Sequence, residues 1–135
     1  MINEKEELWY QRTFDVPSAW RGKQILLHFG AVDWKAEVWV NDVKVGEHTG
    51  GFTPFYFDIT SVLNKGNNDL VVKVWDPSDR GEQPRGKQIA NPHGIWYTPV
   101  TGIWQTVWLE PVATQYITNL KTTPDIDNNL SLIHI

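Results

Sequence analysis

Few residues in this chain have the type and spacing that bond-breaking or ligand-holding chemistry asks for. The 135 residues contain no cysteine, which removes disulfides, thiolate metal sites and a cysteine nucleophile together. The four histidines, His28, His48, His93 and His134, are scattered without ligand spacing, so no metal is expected and no cofactor is implied. Asp76 and Asp79 lie close together, but Asp76-Pro77-Ser78-Asp79 reads first as a turn. The richest segment runs from Asp76 to Gly102, punctuated by eight glycines and prolines. It carries Arg85, Gln88, Trp96 and Tyr97. Arg and Gln can fork onto hydroxyl groups, and Trp and Tyr rings stack on the C–H faces of sugars. These four are the candidate carbohydrate contacts. Arg80 and Lys87 read as solvated charges, and His93 is the one histidine placed to matter. The plainer reading is a loop that is solvated or packed on a neighbouring domain.

The elements that must position this loop read as strands. Trp9 to Val16 alternates and stops at Pro17. Gln24 to Gly30 follows, with Ile25, Leu27 and Phe29 on one face. Trp34 to Val40 puts Ala36, Val38 and Val40 inward and Lys35, Glu37 and Trp39 outward. Asn41-Asp42 suits a two-residue turn, since both residues tolerate left-handed backbone angles, and Val43 to His48 returns. Phe55 to Asp58 is extended, and Ile59 to Leu63 is expected as one helical turn capped by Asp58 or Thr60. Asp69 to Trp75 sends Leu70, Val72 and Val74 inward. A strand from Ile103 to Leu109 follows the long loop, and Glu110 to Ala113 reads as a boundary. The tail is expected as strands Tyr116 to Thr122 and Leu130 to Ile135 around a turn at Pro124 to Asn129. No helix longer than a turn is expected. Many short strands separated by turn signals indicate a β-sandwich or jelly roll.

Composition narrows the partners. Twelve Lys and Arg against sixteen Asp and Glu leave a formal charge of −4, a poor match to the phosphates of nucleic acid. No apolar run approaches the roughly 20 residues of a membrane span. Mean hydropathy is −0.38, so neither a membrane protein nor a disordered tail is expected. Residues Met1 to Glu7 are acidic and do not read as a signal peptide, which suits either a cytoplasmic protein or a piece of a longer one. Asn129-Leu130-Ser131 matches a glycosylation sequon, a tripeptide common by chance. Eight tryptophans, four tyrosines and five phenylalanines fit an aromatic-rich β domain, with the rings either in the core or on a binding surface.

Several spaced blocks carry a resemblance. They are Val38-Trp39-Val40-Asn41-Asp42-Val43-Lys44-Val45-Gly46, then Gly50-Gly51-Phe52-Thr53-Pro54-Phe55, then Phe57-Asp58-Ile59-Thr60. Gly66 to Val74 and Gly94 to Glu110 complete the set. In this order they resemble the N-terminal sugar-binding domain of glycoside hydrolase family 2, which holds β-galactosidases, β-glucuronidases and β-mannosidases. The resemblance covers about residues 8 to 112. It implies an all-β, galactose-binding-like jelly-roll sandwich over residues 1–112. Residues 113–135 then resemble the opening of the immunoglobulin-like domain that follows in the family.

The same resemblance implies that loops of this domain reach the rim of the catalytic pocket, and that both catalytic glutamates lie in a later (β/α)₈ barrel. No hydrolysis is therefore expected from this chain, and no residue in it is a catalytic candidate. The partners implied are carbohydrate and the remaining domains of a parent hydrolase. The Asn and Asp that hold galactose in family β-galactosidases align near Lys5 and Trp96, so neither polar group is present, which argues against galactose specificity. Three readings follow: a buttress that lends a loop to a sugar pocket, an autonomous carbohydrate-binding module, and a purely structural interaction domain. The first is preferred, with a β-galactosidase-like parent. A bacterial polysaccharide-degrading enzyme, with the periplasm as one location, is what the resemblance suggests.

Overall fold

The computed structural model describes residues 5 to 134. The first four residues, the Ile135 end of the expected last strand and the His134 side chain lie outside the described residues. The strands are β1 (Glu7–Asp15), β2 (Gln24–Phe29), β3 (Val32–Asp33), β4 (Lys35–Val40), β5 (Val43–Thr49), β6 (Phe55–Asp58), β7 (Asn67–Trp75), β8 (Gly102–Ile103), β9 (Val107–Val112), β10 (Lys121–Asp125) and β11 (Leu130–His134). One sheet has the order β1-β7-β4-β5, and a second has β6-β2-β9. All pairings within them are antiparallel. The two sheets form a jelly-roll β-sandwich, and β3 and β8 pair as a separate two-stranded sheet.

Alternation builds the core. Ala36, Val38 and Val40 of β4 and Val72 and Val74 of β7 face Ile25, Leu27 and Phe29 of β2, all essentially without solvent contact. Leu70 packs partly buried at the edge of this cluster. None of the eight tryptophans is fully buried. Aliphatic side chains and Phe29 fill the interior, Trp20 packs partly buried against it, and other indoles lie on the surface. Trp9 and Trp39, for example, stack across β7 on the outer face with centroids 5.9 Å apart. The Lys73 ammonium lies over Trp9 and that of Lys44 over Trp39.

Two local devices set the register. Asn41 and Asp42 have φ of 49° and 65°, as a type I′ turn requires. Asn41 also ties three elements together. Its amide donates to Val62 O at 2.7 Å and to Asn68 Oδ1 at 2.8 Å, and its Oδ1 accepts Asp69 N–H at 2.9 Å. The expected helical turn is a single 3₁₀ turn, Thr60–Val62. Asp58 Oδ1 accepts the Thr60 N–H at 2.9 Å. The Thr60 hydroxyl donates to the same Asp58 Oδ1 at 2.5 Å and accepts the Ile25 N–H at 2.8 Å, which pins the turn to β2.

Several boundaries differ from the sequence reading. The strand expected at Ile103 to Leu109 is interrupted at residues 104–106. There Gly30 N–H bonds Thr106 O at 2.9 Å and Trp104 N–H bonds Ala31 O at 3.3 Å, so the backbone leaves one sheet and enters another. The expected boundary at Glu110 to Ala113 is strand as far as Val112, with Pro111 opposite Ile25. Proline fits because β9 is an edge strand. In the tail, the strand expected from Tyr116 to Thr122 is β10, Lys121–Asp125, so residues 116–120 lie outside it and the turn begins at Ile126, two residues after its expected start. Asp125 holds it, accepting Asn128 N–H at 3.2 Å and the Asn128 amide at 2.9 Å. β10 and β11 pair as a separate two-stranded sheet.

Candidate functional site

The segment between β7 and β8 contains no named strand or helix, yet its ends are clipped together. Asp76 is 4% exposed. Its Oδ1 accepts the Ser78 N–H at 2.7 Å, the hydrogen bond of an Asx turn. Its Oδ2 accepts the Thr101 hydroxyl at 2.9 Å, so one carboxylate joins the first and last residues of the loop. The chain then enters β8 through Gly102 at φ 116°. A Cβ at that position would stand 2.2 Å from the Tyr10 hydroxyl, which accepts the Ile103 N–H at 3.2 Å. Only glycine satisfies both the angle and the space.

Inside the loop, two arms pair around residues 87–89 and 97. Tyr97 N–H bonds Lys87 O at 2.7 Å, and Ile89 N–H bonds Tyr97 O at 3.2 Å, giving the parallel bridge Gln88–Tyr97. Gln88 Oε1 accepts the Val100 N–H at 2.5 Å, and its side chain lies near enough to the Asp33 carboxylate to oppose the rise in that acid's pKa. Arg85 Nη1 donates to Asp79 O, while Asp79 Oδ2 accepts the Ala90 N–H at 2.9 Å. The Asp76 to Asp79 turn read from the sequence is present, with Arg80 N–H on Pro77 O at 2.9 Å.

The structure therefore places the four candidate residues in one loop but in two settings. Gln88 and Arg85 are half-buried with partners inside the loop. Trp96 and Tyr97 sit on its surface, Tyr97 64% exposed, with the Lys87 ammonium 5.9 Å from the Tyr97 ring centre. His93 Nδ1 lies 2.9 Å from Asn91 O in the adjoining turn. Among the described residues, no three His, Asp or Glu side chains gather as metal ligands.

Asp33 is the group that sequence reasoning passed over. It ends β3, is 9% exposed and packs against Gly51, where a Cβ would lie 2.5 Å from its Oδ1. Burial first, then the charge of Asp76, push its pKa up to about 6 against the opposing effect of the Gln88 side chain. Asp33 and Asp76 stand far apart in sequence and meet only through the fold, so no local spacing announces the pair. An aspartate directly after the buried run Ala31-Val32 was the available signal.

A second aromatic surface lies beside the β8-β9 junction. Phe52, Pro54, Trp104, Gln105, Thr106 and Trp108 line a cleft of about 740 Å³. The Trp104 indole N–H donates to Gly51 O at 2.8 Å, and Phe52 meets its ring edge-on at 6.1 Å between centroids. The outer face of the second sheet continues the theme, with His28 stacked on Trp108 at 4.8 Å and 5.2 Å from Tyr56.

Comparison with known proteins bears on this arrangement. The family described as "Glycosyl hydrolases family 2, sugar binding domain" matches residues 1–110. A β-galactosidase of Thermoanaerobacter pseudethanolicus is 38% identical over 104 residues, covering 76% of this chain and 13% of that protein. A putative β-glucuronidase of Formosa agariphila is 34% identical over 122 residues, covering 90% of this chain and 14% of that protein. Among solved structures, a β-glucuronidase from an uncultured Clostridium sp. superposes with a TM-score of 0.69 at 28% identity, over 89% of this chain and 22% of that one. The chain thus spans between 13% and 22% of the length of these relatives.

Proposed function

This chain belongs to the sugar-binding domain family of the family 2 glycosyl hydrolases, and from that premise we propose that it is the non-catalytic N-terminal module of a larger glycoside hydrolase. In this reading it buttresses the catalytic domain and lends the loop of residues 76–102 to one side of the sugar pocket. The observation that carries the proposal is the contrast within that loop: Trp96 and Tyr97 are exposed, while hydrogen bonds to Asp76 and Gln88 fix the backbone beneath them. A ring held out on a fixed backbone stacks on a sugar at little ordering cost. Proximity of this kind helps catalysis by holding substrate in place. Arg85 retains guanidinium N–H groups beyond the one on Asp79 O and adds a donor beside them. Gln88 completes the contact set from the loop's inner side.

The exposed rings of Phe52, Trp104 and Trp108 support the buttress half of the reading, because a domain boundary buries such surface. Residues 1–112 form the module in this proposal, and 113–135, with the β10-β11 hairpin, open an immunoglobulin-like domain. The parent is read as β-galactosidase-like, with a β-glucuronidase or β-mannosidase parent as the alternative. The matches to both β-galactosidase and β-glucuronidase names keep both open.

Calorimetric titration of the isolated chain with methyl β-galactoside and methyl β-glucuronide tests the assignment. A buttress gives no saturable heat. Saturable heat lost in Trp96→Ala would establish the second reading, an autonomous carbohydrate-binding module.

A further inference from the structure

The edge strands of the two sheets meet differently on the two sides of the sandwich. On one side β5 and β6 close it, with the Phe57 ring so near Gly46 that a Cβ there would lie 2.2 Å away. On the other side β1 and β9 border a cleft of about 680 Å³. Phe14 of β1, Leu70 of β7, Val107 and Leu109 of β9, and Trp20 line it. All five pack against the core yet stay half-buried, whereas Val38, Val40 and Val74 of the inner strands are wholly buried.

The same side leaves backbone groups without a strand to bond. Ile25 of β2 donates its N–H to Thr60 Oγ1 at 2.8 Å and accepts the Ile59 N–H at 3.0 Å, both on the β6 side. Ile25 stands opposite Pro111 of β9. That pair therefore exchanges no ladder bonds, and with a period of two neither do the pairs of Leu109 and Val107. Gly30 agrees with this register, its N–H reaching Thr106 O at 2.9 Å. The N–H groups of Val107 and Leu109 face away from β2, and among the described residues no strand lies beyond them. Arg12 is exposed, lines the same cleft, and forms no ion pair among the described residues.

We propose that this edge seats one more strand, contributed by the parent polypeptide from outside residues 1–135. An extended segment laid along β9, about 4.8 Å from it, gives the outward groups of Val107 and Leu109 their ladder bonds. Its alternate side chains are apolar and cover Phe14, Leu70 and Trp20. A carboxylate on the segment meets Arg12. The chain spans between 13% and 22% of the length of its relatives, so such a protein has ample polypeptide to supply the strand. A segment of the same polypeptide reaches the edge at an effective concentration of about millimolar on a short linker, so weak contacts suffice to hold it. The source of the strand rests on the reading of this chain as one module of a larger hydrolase. The cleft and the free edge do not.

Amide hydrogen exchange along β9, corrected for intrinsic rates and compared between the 135-residue chain and the product of its complete open reading frame, tests this. In the 135-residue chain, Trp108 and Glu110 should be about a hundredfold more protected than Val107 and Leu109. In the full-length protein, Val107 and Leu109 should gain about a hundredfold, independent of protein concentration. Arg12→Glu should cut that gain about tenfold and leave the core amides of Val38 and Val72 unchanged. Equal protection of the four β9 amides in the 135-residue chain overturns the proposal, and so does no gain in the full-length protein. A gain that rises with concentration assigns the edge to a second copy and overturns it too, as does a gain that Arg12→Glu leaves intact or a reading frame that adds no residues. A full-length protein that shows the gain but cleaves no glycoside refutes the hydrolase reading alone. One that cleaves glycosides without the gain refutes the added strand alone.

Discussion

Asp33 and Asp76 set two acids under one loop, and their ionisation should be audible in the stability of the whole domain. With a folded pKa raised to about 6 from 3.8, Asp33 takes up a proton more readily in the folded than in the unfolded chain. Stability should therefore fall as pH rises between those two values and level off above them. The span corresponds to at most about 3 kcal/mol. Asp33→Asn should raise the melting temperature at pH 7 and flatten its slope across that window, which thermal denaturation at several pH values checks. Asn68 makes the opposite case. It is buried and fully engaged, accepting from Asn41 and the Asn64 N–H and donating to Gly66 O at 2.7 Å. Asn68→Ala should cost about 2–3 kcal/mol in chemical denaturation, because it strands several polar groups. Neither role was legible from the sequence. Both aspartates and Asn68 look like ordinary turn residues until the fold encloses them, and burial is a property of the whole chain.

Strands were the legible elements, because alternation of apolar and polar residues is written locally. The inward sets Ala36, Val38, Val40 and Ile25, Leu27, Phe29 were readable as they stand, and so was the Asn41-Asp42 turn. The break at residues 104–106 was not, since Ile103, Val107 and Leu109 keep the same alternation across it. What divides them is backbone pairing with Gly30 and Ala31, which lie over seventy positions away. Trp placement was equally silent: an alternating Trp fits either face of a strand. Gly46 shows how closely elements approach. A Cβ there would lie 2.2 Å from the Phe57 ring, so Gly46→Ala should cost about 1–3 kcal/mol by overpacking, read as a lower denaturation midpoint with an unchanged slope. On the outer face, Glu37 sits between Lys44 and Lys73. Hydrogen bonds from those two ammonium groups hold its pKa down to about 2. Its contribution should be present above about pH 4.5 and lost as pH falls through 2. Glu37→Gln should remove that acid-side slope and, because the pair is on the surface, lower stability at pH 7 by no more than about 1 kcal/mol.

At the scale of the whole molecule, the proposed reading makes the sandwich a frame that presents one loop and a band of exposed rings. That is an incomplete machine by the chemistry of its proposed setting. Glycoside hydrolysis needs two carboxyl groups on either side of the scissile bond, about 5–5.5 Å apart or about 6.5–9.5 Å apart according to stereochemistry. The buried acids here, Asp33 and Asp76, are 9% and 4% exposed, and Asp76 is engaged with Ser78 and Thr101. Family membership was legible from ordered sequence blocks and the loop from its glycines and prolines. The division of labour between its inner polar clasp and outer aromatic face required the coordinates. The most direct test is turnover by the purified 135-residue chain of 4-nitrophenyl β-galactoside and β-glucuronide, followed as released nitrophenolate. The account predicts no release above the buffer rate, and release that scales with protein concentration and survives repurification would contradict it.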